Sequence, residues 1–151
     1  MHRHYGSRIR ILHWCSEQAM TGALADMELT SAQGHILGYI HRHPGAPCAK
    51  DIEEALHLSH PTVSGLLTRL EKKGFLEFRE DPRDRRFKRI YILPKGEECN
   101  EQIHQIIQRN EENLVAGFTE EEKRQFMDYL GRAIVNMGGC PEKQRQNKED
   151  T

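Results

Sequence analysis

The sequence contains no long apolar run. No stretch approaches the roughly 18 consecutive apolar residues of a membrane-spanning helix, and the first residues hold no apolar segment as long as a signal-peptide core. Because both features are absent, we expect neither an integral membrane protein nor a secreted protein. We therefore expect a cytoplasmic chain without a membrane partner.

Paired cysteines are also missing. Cys15, Cys48, Cys99 and Cys140 are far apart, and no two form a CxxC pair. This spacing argues against a disulfide framework and matches no closed zinc-ligand set. We expect free thiols, and no cofactor or bound metal.

Apolar residues are scarce for a chain of this length. The 151 residues are 36% hydrophobic and 30% charged, which is low for a monomer that completes its own core. The composition suits a helical protein with a large solvated surface, or one whose core is completed by a second copy. No nucleophile motif, phosphate loop or paired-acid arrangement is present, so we do not expect an enzyme.

The charge is balanced overall but locally uneven. A net charge of −1 indicates no particular partner. Between Arg79 and Arg89, however, six basic residues stand against three acidic ones. A basic patch on a near-neutral chain is typical of nucleic-acid binding.

Three helices are predicted in the first third of the chain. The first covers about residues 6–27, because apolar side chains recur there every three or four positions. The second begins at the Thr30–Gln33 capping box and stops before Pro44, and the third covers 49–56. The apolar stripe of the first helix consists of Ile9, Leu12, Cys15, Ala19, Ala23 and Met27.

A fourth helix and a hairpin follow. Ser59 is the expected N-cap, Pro61 lies in the first turn, and Gly74 ends the helix. Two β-prone runs, 75–80 and 87–93, are then joined by a short basic connection.

Two more helices complete the pattern. One begins at Pro94, and the other begins at a capping box opened by Thr119 and ends before Gly138. Residues 139–151 are predicted to be a disordered tail. The fold class is therefore mainly α with a small two-stranded β-wing, a winged helix-turn-helix with N- and C-terminal dimerisation helices. We expect one domain, 1–151, with a DNA-binding part at 30–93 and helical dimerisation parts at 1–29 and 94–138.

The face of the fourth helix opposite its apolar stripe carries short polar side chains. Small residues allow a helix to enter a major groove about 12 Å wide. The candidate DNA-binding residues of this helix are Ser59, His60, Pro61, Thr62, Ser64, Gly65, Thr68 and Arg69. The alternative is an ordinary solvated face of an amphipathic helix.

The hairpin tip is more specific. Arginine favours the negative potential of narrow minor grooves, and Asp84 is placed to hold the guanidinium of Arg86. The candidate wing residues are Arg83, Asp84, Arg85, Arg86 and Lys88. The alternative is a solvated salt-bridge cluster that also includes Asp81.

Three stretches together resemble the MarR family of bacterial transcriptional regulators. They are Ser59–Ser64, Leu70–Leu76, and Asp81–Arg86 running into Ile90–Leu93. The resemblance implies a homodimer with interlocked first and last helices, a recognition helix in each major groove, and Arg86 in the minor groove braced by Asp84. It also implies a pseudo-palindromic promoter site in double-stranded DNA, repression, and release by a small ligand, metal or oxidant.

Possible sensors are less well defined. Family relatives commonly bind aromatic ligands in a cleft that His13, Trp14 and Tyr39 would line here. Cys48, at the start of the third helix, is a candidate redox thiol, whereas Cys15 is expected to be buried and inert. Histidines at 2, 4, 41, 43 and 104, with Glu111, form no recognisable metal set. A redox- or metal-sensing family member remains an alternative, as does a winged-helix protein-interaction module that does not bind DNA.

Overall fold

A computed structural model describes residues 4–141 of the chain. It divides the chain into two compact units that meet between Leu114 and Val115. The predicted tail lies mostly at 142–151, outside the described residues. Within the described residues, no helix is both long and apolar enough to cross a membrane.

The first unit begins with two helices joined by a short turn. Helix α1 covers Tyr5–Leu24, a 3-10 turn covers Ala25–Met27, and α2 covers Ser31–Arg42. The capping box predicted for α2 is confirmed: the Gln33 amide donates to Thr30 Oγ1 at 3.4 Å, and the Thr30 amide donates to Gln33 Oε1 at 3.0 Å.

Helices α3, Ala49–Leu56, and α4, His60–Lys72, form the helix-turn-helix pair. The turn between them is tight because His57 adopts a left-handed conformation, with φ of 52°. Ser59 is the N-cap of α4, as the sequence predicted, and its hydroxyl accepts from the Thr62 amide at 3.4 Å.

The wing consists of strands β1, Leu76–Glu80, and β2, Lys88–Ile92, with the 81–87 loop between them. The strands are antiparallel, with Leu76 opposite Ile92 and Phe78 opposite Ile90. Gly74, with φ of 78°, makes the left-handed turn that redirects the chain from α4 into β1.

The last two helices belong to different units. Helix α5, Pro94–Leu114, ends the first unit, and α6, Glu120–Asn136, lies in the second. The second predicted capping box is also present, since the Glu122 amide donates to Thr119 Oγ1 at 3.2 Å. Within the second unit, Phe118 packs edge-to-face on Phe126, with ring centroids 5.8 Å apart.

The core of the first unit lies beneath α4 and the wing. The inward stripe of α4 is fully part of it, so the opposite face of that helix points outward. The fully buried side chains are Met20, Leu24, Ile36, Leu37, Ile52, Val63, Leu67, Leu70, Phe75, Leu76, Ile90 and Ile103.

The apolar stripe predicted for α1 is mostly exposed in the single chain. Met20 and Leu24 are the buried residues of this helix, and Cys15, expected to be a buried and inert thiol, is exposed. The reason is that α2 and α5 pack against another side of α1, where Glu17 bonds Ser31 at 2.9 Å and Ser16 bonds Asn110 at 2.8 Å. Periodicity shows which positions are apolar, but it does not show which neighbour covers them.

Candidate nucleic-acid interface

The outer face of α4 is open to solvent. All the candidate residues on it are exposed except Gly65, which is half-buried. A Cβ built at Gly65 would meet nothing within 4 Å, so the glycine is not required by packing inside the chain. Its smallness instead leaves a shallow surface on which another molecule can approach the helix backbone.

Hydroxyl groups on this face are held by local bonds. Ser59 Oγ and Thr62 Oγ1 are 2.8 Å apart, and Thr68 Oγ1 donates to the Ser64 carbonyl at 2.9 Å. The donor of Thr68 is therefore occupied, while its oxygen keeps free lone pairs. This arrangement fixes the positions of polar groups along the outer face.

His60 connects the two helices of the pair. Its Nδ1 lies 2.6 Å from Glu53 Oε1 on α3, and its side chain is 73% exposed. The ring is thus fixed on one side and open on the other. Sequence patterns selected His60 but gave no indication of Glu53, because the two are seven residues apart in different helices.

The tip of the wing has the predicted pair. Asp84 accepts from the Arg86 amide at 3.1 Å, from Arg86 Nε at 3.1 Å and from Arg86 Nη2 at 3.0 Å. These bonds from Arg86 hold the pKa of the Asp84 carboxyl below its usual range. The guanidinium is oriented by the fork of bonds and yet is 87% exposed.

A second pair anchors the base of the wing. Asp81, only 8% exposed, accepts from the Arg83 amide and from Arg89 Nε, both at 2.8 Å. These two bonds, the amide first, lower the pKa of Asp81. The sequence could have indicated the first bond, since Asp commonly accepts from the amide two residues later in a turn.

The anchor continues into the loop before α3. Arg89 Nη1 donates to the Ala46 carbonyl at 3.4 Å, and the Ile90 amide donates to the Pro47 carbonyl at 3.0 Å. The wing is therefore attached to the helical body as well as to the end of α4. Sequence reasoning missed this contact, which joins residues more than 40 positions apart.

The two aspartates of the wing loop form separate pairs rather than one cluster. Asp81 binds Arg89 and Asp84 binds Arg86, while Arg83, Arg85 and Lys88 are exposed. Within residues 4–141, the side chains of these last three make no ion pair or hydrogen bond. The wing thus combines a fixed arginine with three basic groups available to an anionic partner.

The residues predicted to line a ligand cleft are in two places. His13 and Trp14 are exposed on α1, whereas Tyr39 stacks on His43 with ring centroids 4.0 Å apart. Burial, and then the nearby Asp51, Cys48 and Glu54, raises the pKa of Tyr39. Among the described contacts, none joins Tyr39 to His13 or Trp14, and the cleft stays a prediction.

Cys48 is the N-cap of α3 and is half-buried. Its amide donates to Asp51 Oδ2 at 2.8 Å, which completes the helix start. Across the part of the chain that the structure describes, no three His, Cys, Asp or Glu side chains are grouped as metal ligands.

Comparisons with known proteins match both the sequence and the fold. A family model described as MarR family matches residues 25–86. The uncharacterised HTH-type transcriptional regulator YwaE of Bacillus subtilis (strain 168) is 30% identical over 93 residues, which are 62% of this chain and 54% of that regulator.

Solved structures extend the similarity over most of the chain. The crystal structure of an S. aureus MepR-DNA complex aligns with 30% identity, covering 88% of this chain and 96% of that one, at a TM-score of 0.81. The crystal structure of MarR aligns with 28% identity, covering 91% and 95% of the two chains, at a TM-score of 0.74.

Proposed function

Because this chain belongs to the MarR family of transcriptional regulators, as its sequence predicted, we propose that it binds double-stranded DNA as a homodimer. It acts in the cytoplasm as a ligand- or stress-responsive repressor at a pseudo-palindromic promoter site. It has no enzymatic activity of its own.

The observation that carries this proposal is the geometry of the wing tip. Arg86 is oriented by Asp84 and left 87% exposed, which prepares a cation for a partner without binding it inside the protein. An exposed ion pair contributes little to folding stability. A narrow minor groove is the partner that suits an oriented and exposed arginine, because the negative potential of the groove attracts arginine.

Helix α4 is the proposed major-groove element. Its first turn approaches the base edges, and its hydroxyls and amide ends contact phosphate. The residues proposed to contact DNA are Ser59, His60, Pro61, Thr62, Ser64, Gly65, Thr68 and Arg69, with Arg83, Arg85, Arg86 and Lys88 on the wing.

Two apolar surfaces support the proposed homodimer. On α1, five large apolar or aromatic side chains are more than 40% exposed, and α6 and the residue after it carry another five. Covering such surfaces with a second copy removes apolar area from water and so lowers the free energy. They are Tyr5, Ile9, Ile11, Leu12 and Trp14, and separately Met127, Tyr129, Ile134, Val135 and Met137.

These surfaces indicate which parts of the chain we propose to bind DNA and which to form the dimer. Residues 30–93 form the DNA-binding part of a single MarR-like domain, and 1–29 and 94–138 form its dimerisation part. Tyr39, with His13 and Trp14, is the proposed contact for a small aromatic effector.

In vitro selection from random duplex DNA tests the proposal. We expect enrichment of an inverted repeat, and a mobility shift with the selected duplex that weakens steeply as salt concentration rises. A scrambled duplex of equal composition is the control. If no sequence is enriched and no shift occurs, a protein-interaction module replaces the proposed DNA-binding regulator.

A further inference from the structure

The pair of His60 and Glu53 leaves one imidazole nitrogen available on the outer face of α4. Nδ1 lies 2.6 Å from Glu53 Oε1, a carboxylate that can only accept. Nδ1 must therefore carry a proton, and Nε2, on the opposite side of the ring, is the atom left for another partner. His60 is the first residue of α4, where a helix-turn-helix protein approaches DNA.

The role of Nε2 depends on protonation. In the neutral ring, the proton held at Nδ1 leaves a lone pair on Nε2, which can accept but cannot donate. In the charged ring, both nitrogens donate, and Nε2 can bind a phosphate oxygen or a guanine acceptor. Imidazole changes its charge between about pH 5 and pH 8, so this change falls in the physiological range.

Glu53 is the charged group that faces His60 from α3, and its side chain is 21% exposed. The N-terminus of α4 adds a partial positive charge beside the ring. On α4 itself, the residues one turn later are Val63 and Ser64, which do not titrate. The turn before α4 carries another histidine, His57, which is exposed.

We propose that Glu53 orients His60 as a proton-dependent DNA contact, so that the affinity of the chain for DNA rises as pH falls. The proposal rests on the DNA-binding function above. Glu53 is a positioning residue, and His60 is the group that touches the nucleic acid. Protonation adds one positive charge and one charge-assisted hydrogen bond in each protomer.

Fluorescence anisotropy with the selected duplex measures this link. The dissociation constant is determined from about pH 8 to about pH 5.5 at fixed ionic strength, where imidazole titrates. We expect affinity to rise about tenfold for each protomer that gains a proton, and therefore about 100-fold for the dimer, since one unit of differential pKa corresponds to a factor of ten. Circular dichroism at each pH confirms that the fold is unchanged.

Two variants separate the contact from its positioning residue. His60→Gln should remove the pH dependence. Glu53→Gln allows the neutral ring to carry its proton on Nε2, because the Gln amide can donate to Nδ1, so affinity should rise at high pH and the pH dependence should become smaller. A merely structural role for Glu53 would instead change affinity equally at every pH.

Two further histidines provide matched controls. His41 forms the same kind of pair, with Nδ1 3.3 Å from Glu97 Oε2, at a site outside the proposed interface. His57→Asn preserves the left-handed turn, which Asn tolerates. We expect His41→Gln and His57→Asn to retain the pH dependence of the unmodified chain.

The outcomes of these experiments distinguish the proton link at His60 from the DNA-binding function on which it rests. Sequence-specific binding that does not depend on pH would overturn the proton link and leave the DNA-binding function intact. A pH dependence that is lost in His57→Asn but kept in His60→Gln would do the same. Failure to bind the selected duplex at any pH overturns both. A pH dependence that is lost in His60→Gln and reduced in Glu53→Gln, through higher affinity at high pH, establishes the link.

Discussion

At the scale of single residues, the orientation of Arg86 is the property that matters for binding. Two hydrogen bonds from the guanidinium to Asp84, with a third from the Arg86 amide, orient the side chain before DNA arrives, so less conformational entropy is lost on binding. The pKa of Asp84 is depressed, so this carboxyl stays charged at pH values low enough to protonate an ordinary aspartate. It loses its charge only as pH falls through the lowered pKa. The pair therefore persists between about pH 5.5 and pH 8, where imidazole titrates.

Replacing Arg86 tests its role. We expect Arg86→Ala to weaken binding of the selected duplex by about 10- to 100-fold, because one oriented cation leaves the groove. Arg42→Ala is the control, since Arg42 is exposed and lies outside both the proposed DNA contacts and the proposed dimer surfaces. Anisotropy titrations measure both variants, and unchanged affinity in Arg86→Ala would rule out a minor-groove role.

Adjacent residues on α4 provide a second test at this scale. Leu67 is 1% exposed, and Thr68 beside it is exposed. Leu67→Ala should lower the free energy of unfolding by about 2–5 kcal/mol, because it leaves a cavity in the core.

Thr68→Ala should change the free energy of unfolding by less than about 0.5 kcal/mol while weakening DNA binding. Urea denaturation and anisotropy separate the two effects. A large loss of stability in Thr68→Ala would show that the outer face of α4 serves the fold.

At the scale of elements, the wing is held at its base as well as at its strands. Arg89 bonds Asp81 within the wing and the Ala46 carbonyl outside it, and Ile90 bonds Pro47 beside that contact. These hydrogen bonds therefore attach the base of the wing to the 44–48 loop.

Arg89→Met should loosen this attachment while keeping the apolar part of the side chain. We expect faster amide exchange at Asp81 and Ile90, because local opening costs less free energy when the anchor is missing. Arg79→Met is a matched control: Arg79 lies opposite Arg89 in the sheet but binds Glu77 and Tyr91 inside the wing. Equal exchange in the two variants would show that the anchor does not hold the wing.

Local chemistry explains which elements could be predicted. The caps at Thr30, Ser59 and Thr119 act within three residues, so the starts of α2, α4 and α6 were readable from the sequence. The Asp84–Arg86 pair has the same short range. Glu53 beside His60 and Arg89 beside Ala46 depend on how separate elements pack, and no local pattern reports that.

At the scale of the whole molecule, the apolar stripe of α1 lacks a cover within the single chain. The low apolar content led us to expect a core completed by a second copy, and Ile9 and Leu12 of this stripe are exposed. A second copy would satisfy both the pattern and the composition.

Leu12→Glu tests this view of α1. We expect a shift from dimer to monomer in sedimentation equilibrium, because a charge would be buried in the proposed interface. DNA affinity should fall with it, since each monomer retains only one α4 and one wing. Arg42→Glu is the control, because Arg42 is exposed at the end of α2 and lies outside both proposed dimer surfaces. A dimer unaffected by Leu12→Glu would place the interface elsewhere.

Hydroxyl-radical footprinting on the selected duplex shows whether a dimer places two recognition helices and two wings on one DNA site. We expect two equivalent protected segments with their centres about one helical turn apart, flanked by minor-groove protection that disappears in Arg86→Ala. One unsymmetrical protected segment, or flanking protection that survives in Arg86→Ala, would contradict this arrangement.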